Sequence, residues 1–467
     1  MPKVRATFLL LLFMAGLLER AEAFSLNGPP DTWQVQEEGY QIDASDIFGP
    51  MNLGEEYRWN TGTIVYGYDP SFLDYFGQQG VVAIEKAIQL LNALPTMSAL
   101  SPDLSEFPLD TRRFNHEATS LFVFDLKSWT LSMLLFELGV SPAERWVYTL
   151  RAREVLPGPT PVYSTTIRNF DPVTLAPSRY INGTLYSFVI LQTYAAPDVW
   201  EAVDFNVDPN AASVTTVSSL GIDNGTLLAS GFLSTVSPGM FFTGLTRDDV
   251  GALRYIYNKA NLNTETLPPN SSVSPGGGGP WGVPGGGTNV VTNAVAQALR
   301  PGIDKFTLVR QEFDSLLGQW NPITNRYTDT FITNGAARSQ TVERILLAPD
   351  ILFGAQDLGT TPNAIPVFLG RTVCVAPNWV SNDAINGQTP LAGPGQIQGT
   401  IGISFSTIGP WFLNTGGGSE EDTQLGFVWG HYDGSTNPPV VFPNGTSIRQ
   451  IEQQVFGSSR GSPWTVP

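Results

Sequence analysis

The chain predicts an α+β N-terminal domain joined by a Gly/Pro-rich linker to a β-rich, sandwich-like C-terminal domain. Three observations carry this. Helical apolar periodicity is concentrated before residue 260. The run PPNSSVSPGGGGPWGVPGGGT, residues 268–288, is uncharged and dominated by turn residues, so it buries too little apolar surface to offset its ordering entropy. After it come strand-like runs separated by Gly, Pro and Asn turns. The expected organisation is residues 1–23 as a leader, 24–267 as the α+β domain, 268–288 as the linker and 289–467 as the β-rich domain.

The leader reading rests on MPKVRATFLLLLFMAGLLERAEAF. Lys3 and Arg5 are followed by an apolar run of about 13 residues, too short for the ~20 that span a bilayer. Ala21-Glu22-Ala23 then supplies a small-x-small cleavage pattern, with the mature chain expected to begin near Phe24. Export, either into the extracellular space or onto the cell envelope, follows as an expectation. Thr63–Tyr68, TIVYGY, reads as a strand. Gly80–Leu94 reads as a helix, because Val81, Ile84, Ile88 and Leu91 recur on one face and Pro95 stops it. SWTLSMLLFEL, Ser128–Leu138, reads as a second helix, apolar almost all round and therefore buried, ended by Gly139. Ser141-Pro142-Ala143-Glu144 has the form of a capped helix start. Tyr163–Leu233 alternates between turn signals and reads as strands. Thr246 opens a further helix with a capping box completed by Asp249. Asp248 and Asp249 both suit the positive end of its dipole, so capping is preferred to metal binding there. Beyond the linker, KFTLVRQEF, RYTDTFITN, IPVFLGRTVCV, QGTIGISFSTIG and QLGFVWGHYDG read as strands. SQTVERILLAPDILF reads as a short helix.

Composition excludes whole classes of partner. Asp and Glu number 42 against 25 Lys and Arg, a net charge of −17. Such a surface repels nucleic acid and anionic lipid. Cys374 is the only cysteine, which excludes an intrachain disulfide and reads as a small buried hydrophobe. No segment after the leader has membrane-spanning length. Extracellular protein and polysaccharide remain the partner classes, and the oligomeric state is open. Asn182, Asn224, Asn270 and Asn444 begin N-x-[ST] sequons.

One motif points to a family. GLTRDDVGALRYIYN, Gly244–Asn258, resembles the closing helix of a metzincin, matrixin-like metallopeptidase domain. Asn60–Leu94 is similar to that family's first strand and helix, and Met240 stands where a methionine turn would precede the closing helix. The resemblance implies a zinc-binding helix with H-E-x-x-H-x-x-G-x-x-H. Histidines four apart share a helix face and bind one ion, and the intervening glutamate takes a proton from the metal-bound water. Phe136-Glu137-Leu138-Gly139-Val140 is the best-placed match. Glu137 takes the general-base position, but Phe136, Val140 and Trp146 stand where the three histidines belong.

The chain has only two histidines, His116 and His431. His116-Glu117 forms an HE pair with Ser120 at the next ligand position. Glu137 is thus the weak catalytic candidate, and His116 and His431 are the weak metal-ligand candidates. No cofactor is assigned, and zinc and calcium stay open. The adjacent acid pairs Glu55/Glu56 and Glu420/Glu421 are the candidates for carboxylate chemistry of the glycosidase kind. The expectation is a non-enzymatic binding or structural protein on a degenerate peptidase frame. A zinc metallopeptidase with a non-standard site, and a carbohydrate-active enzyme with paired carboxylates, are the rival readings.

Overall fold

TIVYGY forms a strand because its β-branched and aromatic residues suit a pleated surface covered on both faces. In the computed structural model it is β1 (Thr63–Tyr68), buried along almost its whole length. The described residues are 22–28, 49–121, 123–154, 161–192, 200–208, 210, 215–220, 238–273, 295–356, 370–373, 379–380, 395–397, 400–407, 410–412, 424–426, 428–443 and 446. After β1 come helix α1 (Pro70–Asn92), the single turn α2 (His116–Ser120), strand β2 (Val123–Asp125) and helix α3 (Leu126–Glu137). A long hairpin follows, β3 (Thr184–Gln192) with β4 (Trp200–Asn206), and then helix α4 (Arg247–Tyr257). The later strands are β5 (Leu262–Thr266), β6 (Gln297–Pro301), β7 (Thr307–Arg310), β8 (Ile323–Thr333), β9 (Ala336–Leu346), β10 (Ile351–Gln356), β11 (Gly370–Val373), β12 (Ile401–Ser406) and β13 (Val428–His431).

The molecule is sheet-rich, as the composition of its later half leads one to expect. Its central sheet has the order β7-β1-β10-β12-β11. The first four strands are parallel and β11 closes the edge antiparallel. β1 therefore draws both ladder partners from beyond residue 300. This differs from the expectation of two separately packed halves divided at 268–288. Ser271–Val273, inside the expected linker, is a strand paired with β9 in a second sheet, ordered β5-β6-β8-β9 and then Ser271–Val273. Residues 274–294 lie outside the described residues. One apolar core runs from Phe24 through β1, α1, α3 and α4 to Phe405 and Phe442.

Local signals explain the helices. Asp69 caps α1, its side chain accepting from Ser71 N at 2.9 Å, and Pro70 occupies the first turn, where its missing N–H does no harm. The helix thus starts ten residues earlier than its apolar periodicity suggested, with a break at Gly77 (φ 56°). Asp125 caps α3 through Ser128 N, which moves that helix start to Leu126. At α4 the expected capping box between Thr246 and Asp249 is present.

Two expected helices are absent. Ser141 lies in a two-residue strand against Ser25 and Leu26, and Ala143–Arg145 forms one 3-10 turn. Glu144 does not fold back on Ser141; its carboxylate is turned to another segment, described below. SQTVERILLAPDILF is also strand, divided between β9 and β10. Asn334 and Gly335, with φ of 49° and 72°, make a tight hairpin turn. They force the residues after them into an eleven-pair antiparallel ladder with β8.

Buried ion pairs tie the Tyr57–Arg58 segment and the central sheet to the second sheet and brace the second sheet itself. Arg58 donates to Glu265 Oε1 at 2.7 Å on β5, to Asn261 O at 2.7 Å and to Arg300 O at 3.0 Å. Arg300 pairs with Asp329, and Arg344 with Asp350. Asp350 also accepts Val65 N of β1 at 2.9 Å. Breaking a buried pair from one side leaves an uncompensated charge, which costs about 3–5 kcal/mol. Arg58→Met is expected to lose that much in urea unfolding, because Glu265 has no water to turn to. A loss within the ~0.5 kcal/mol typical of surface substitutions would show that the pair does not hold the Arg58 segment to β5.

Candidate functional site

The helix that the resemblance singles out is sealed. All twelve residues of α3 are buried, and Glu137 at its last position has no exposed surface. The helix stops there because three side chains from distant segments take the carbonyls of its final turn and of the residues just after it. Trp59 Nε1 donates to Glu137 O at 2.8 Å, Tyr257 Oη to Leu138 O at 2.8 Å, and Asn27 Nδ2 to Phe136 O and Val140 O at 3.1 and 3.0 Å. Gly139 then turns the chain with φ 97°, its α-carbon so close to Tyr57 O that a β-carbon would lie 2.6 Å from it. Val140 and Trp146 therefore lie off the helix. Positions 136, 140 and 146 do not share one helical face, and all three side chains pack in the apolar interior. Gly139→Ala combines a left-handed backbone with a steric clash. It is expected to cost at least the ~1–3 kcal/mol of such strain, seen as a lowered thermal midpoint.

The histidines are brought to the same part of the fold but play different roles. His116 is exposed at the start of α2, its backbone N–H bonded to Ser435 O at 2.9 Å. His431 ends β13, which runs parallel to β2 with Gly430 opposite Asp125. Its Nδ1 lies 3.3 Å from Asp125 Oδ1, and Lys86 of α1 places Nζ 2.9 Å from Nε2. An ammonium only donates, so Nε2 accepts and the ring hydrogen sits on Nδ1, facing Asp125. Ser128 Oγ donates to Asp125 Oδ2 at 2.5 Å and accepts from Phe242 N at 2.8 Å. Lys86 also reaches Asp433 at 3.3 Å, and this bond holds the Asp433 carboxyl below its ordinary range. Beside them, burial pushes the Lys127 ammonium down, and it donates to Phe242 O at 2.5 Å.

A carboxylate-held imidazole is the arrangement that prepares Nε2 for proton transfer. Here Nε2 is taken by Lys86, and Ser128 faces the aspartate rather than the imidazole. The cluster is thus a closed polar network joining α1, α3 and β13. Among the described residues, no group of three or more His, Cys, Asp or Glu side chains is disposed to hold a metal ion.

The acidic candidates are likewise engaged. Glu55 accepts from Asn52 N and Arg168, while Glu56, buried, accepts from Gly54 N and Asn261 Nδ2. The two carboxylates turn to different partners and face no common cleft. Glu420, Glu421 and Cys374 lie outside the described residues. A cavity of about 520 Å³ opens between α4 and the 172–175 turn. Arg254 and Tyr255 line it, and none of Glu137, His116 and His431 does.

Three acids that the sequence placed at helix starts bind distant segments, Glu144 without capping any helix. Glu144 accepts from Thr215 N at 2.7 Å and Thr216 N at 2.8 Å, and from the Thr216 and Ser219 hydroxyls. Asp249 takes Val217 N and Ser218 N, both at 3.0 Å, besides its own capping bonds. Together they hold the 215–220 segment against α4. Asp248, beside them, accepts Asn182 N at 2.6 Å. Burial pushes its carboxyl well above the ordinary range, and the neighbouring Asp249 adds to this. Sequence reasoning missed the Asp125–His431–Lys86 grouping. The only local signal was the D-x-x-S capping pattern at Asp125, because the partners lie 306 and 345 residues apart in the chain.

No family model, curated protein or solved structure matches this chain.

The sign of the Asp248 effect is definite. A carboxyl whose folded pKa exceeds its unfolded value holds its proton more tightly when folded. Stability is then greatest below the unfolded value and declines as pH rises towards the folded one. Asp248→Asn keeps an acceptor for Asn182 N and removes the titration. Relative to wild type, the variant is expected to gain stability between pH 4 and pH 8 by more than ~0.5 kcal/mol in urea unfolding. Parallel pH profiles for the two proteins would contradict this.

Proposed function

We propose that this chain is an exported, non-enzymatic binding or structural protein of the extracellular space or cell envelope, built on a peptidase-like frame without a working metal centre. The observation that carries the reading is the enclosure of α3. Its only acid in the general-base position, Glu137, is fully buried, and the positions expected to hold zinc carry phenylalanine, valine and tryptophan packed in the core. Water activation needs a cation that lowers the pKa of the bound water from ~15.7 towards ~7, and a buried glutamate alone does not supply it.

The saturation of the remaining candidates supports the same reading. His431 is held between Asp125 and Lys86, and Glu55 and Glu56 are tied to separate partners. The leader-like start MPKVRATFLLLLFMAGLLERAEA supports export. The charge of −17 favours neutral or basic partners, extracellular proteins or polysaccharides, over nucleic acid and anionic membranes. None of the helices among the described residues is long and apolar enough to cross a membrane.

Metal analysis and proteolysis test the proposal together. Purified chain is expected to hold zinc well below one ion per molecule and to leave an unfolded protein substrate uncut. On a panel of polysaccharides it is expected to bind, if at all, without releasing product. Near-stoichiometric zinc, lost together with cleavage in His116→Ala or His431→Ala, would overturn the reading in favour of a metallopeptidase with an unusual ligand set. Turnover of a polysaccharide abolished by Glu56→Gln in a folded protein would overturn it in favour of carboxylate catalysis.

A further inference from the structure

Asp248 is a buried acid short of a cation. It stands in the first turn of α4 and is 1% exposed. Oδ2 accepts Asn182 N at 2.6 Å, and the Ala23 amide also donates to the carboxyl. Oδ1 is buried with no hydrogen-bond partner among the described residues. An orphaned buried acceptor costs about 1–3 kcal/mol, and more when it is charged. The titratable groups facing it are mostly acids. They are Glu22 from the start of the chain, Asp249 beside it and Tyr186 of β3, with Glu144 behind Thr215. Arg247, the cation next in the chain, is committed elsewhere: to Glu22 at 2.5 Å and to Phe107 O at 3.2 Å.

The start of the chain is built into this place. Glu22 and Ala23 are buried, Phe24 exchanges backbone hydrogen bonds with Phe170 at 3.1 and 2.9 Å, and its ring stacks on Tyr255 at 5.7 Å. Ser25 and Leu26 then pair with Ser141 and Val140. Ala21-Glu22-Ala23 is also the cleavage pattern of the leader. Hydrolysis of the Ala23–Phe24 bond puts the hydroxyl of water on the Ala23 carbonyl carbon, which departs as a carboxylate. The Phe24 nitrogen keeps the electron pair of the broken bond and takes up protons to become an ammonium. One of its N–H groups still serves Phe170 O, and two are new. Glu22 leaves with the leader, so the acid cluster loses one charge and gains a cation. Phe24 N lies one residue, roughly 3–4 Å, from the amide that already meets Asp248. We propose that leader removal completes the fold: the α-ammonium of Phe24 moves into the space of Glu22 and Ala23 and forms a buried ion pair with Asp248 Oδ1, fastening the start of the chain to α4. This rests on the export reading above. A precursor that keeps its leader leaves the carboxyl without a counter-ion, so the chain reaches full stability only after processing.

Two measurements separate the ion pair from the export reading. N-terminal sequencing of the exported protein is expected to begin at Phe24; any other start overturns the leader reading and the proposal with it. Two chains are also made directly, one beginning at Phe24 and one retaining Ala21–Ala23, and compared by urea unfolding. In the Phe24 chain Asp248→Asn is expected to lower the folding constant at least about tenfold at pH 7, because it leaves the buried ammonium unpaired. In the longer chain the same change raises stability, as derived for Asp248 above. The same sign in both chains overturns the ion pair and leaves the leader reading standing. The pH profiles of the two wild-type chains decide the matter even where Asp248→Asn fails to fold. An amino group raised by its partner stabilises fully below its ordinary value of ~8 and loses that contribution as pH rises through the raised one. The stability of the Phe24 chain relative to the longer chain is therefore expected to fall between about pH 8 and pH 10. A difference that stays constant across that range overturns the proposal.

Discussion

Everything in this fold depends on β1 having partners on both edges. A six-residue strand has no stability of its own; its backbone groups must be paired and its faces covered before it contributes anything. β7 and β10 pair with it in parallel, α1 covers it, and Asp350 takes its Val65 amide. Since β7 and β10 also lead into the second sheet, the same strand that organises the first half of the chain positions the second. Buried arginines then brace these sheets, Arg344 at their junction through Asp350. Arg58, Arg300 and Arg344 each meet a carboxylate and spend their remaining donors on backbone carbonyls where water is excluded.

With the sheet in place, α3 has nowhere to be but inside. That burial explains its composition: nearly uniform apolarity, with Ser128, Thr130 and Ser132 bonding back to Asp125, Leu126 O and Leu220 O. It also explains why the stretch that resembles a zinc helix carries no ligands. A helix end sealed by Trp59, Tyr257 and Asn27 has its carbonyls satisfied from within, and a polar imidazole there would be left without a partner or a metal. The acids around α4 follow the same logic. Glu144 and Asp249 are fully used in holding the 215–220 segment, so their charge serves architecture.

What was legible in the sequence was what is local. The capping box at Thr246, the strand at TIVYGY, the stop at Gly139 and the buried character of α3 rest on neighbours a few residues away, and local physics reads them correctly. SQTVERILLAPDILF reads as helix but folds as strand, because Val342, Ile345 and Leu346 satisfy a helical spacing as readily as a ladder. The Asn334–Gly335 turn and the pairing with β8 decide between them. Ser141–Glu144 has every mark of a helix start, yet the pairing with Ser25 and Leu26 and the hydroxyls of Thr216 and Ser219 compete more strongly. The sheet shared across residues 268–288, and the meeting of Asp125, Lys86 and His431, involve separations of hundreds of residues. No pattern within a short window encodes them.

The order of strands in the central sheet has a kinetic meaning. Closing a loop of some 240 residues before β1 gains its first ladder partner is entropically costly, and long-range parallel pairing is intrinsically slow. During synthesis the first half emerges with TIVYGY and the greasy α3 complete but with β7 and β10 still unmade. That half-chain has to wait, exposing apolar surface, until the later strands arrive. The interval is one in which a nascent polypeptide depends on being shielded from its neighbours.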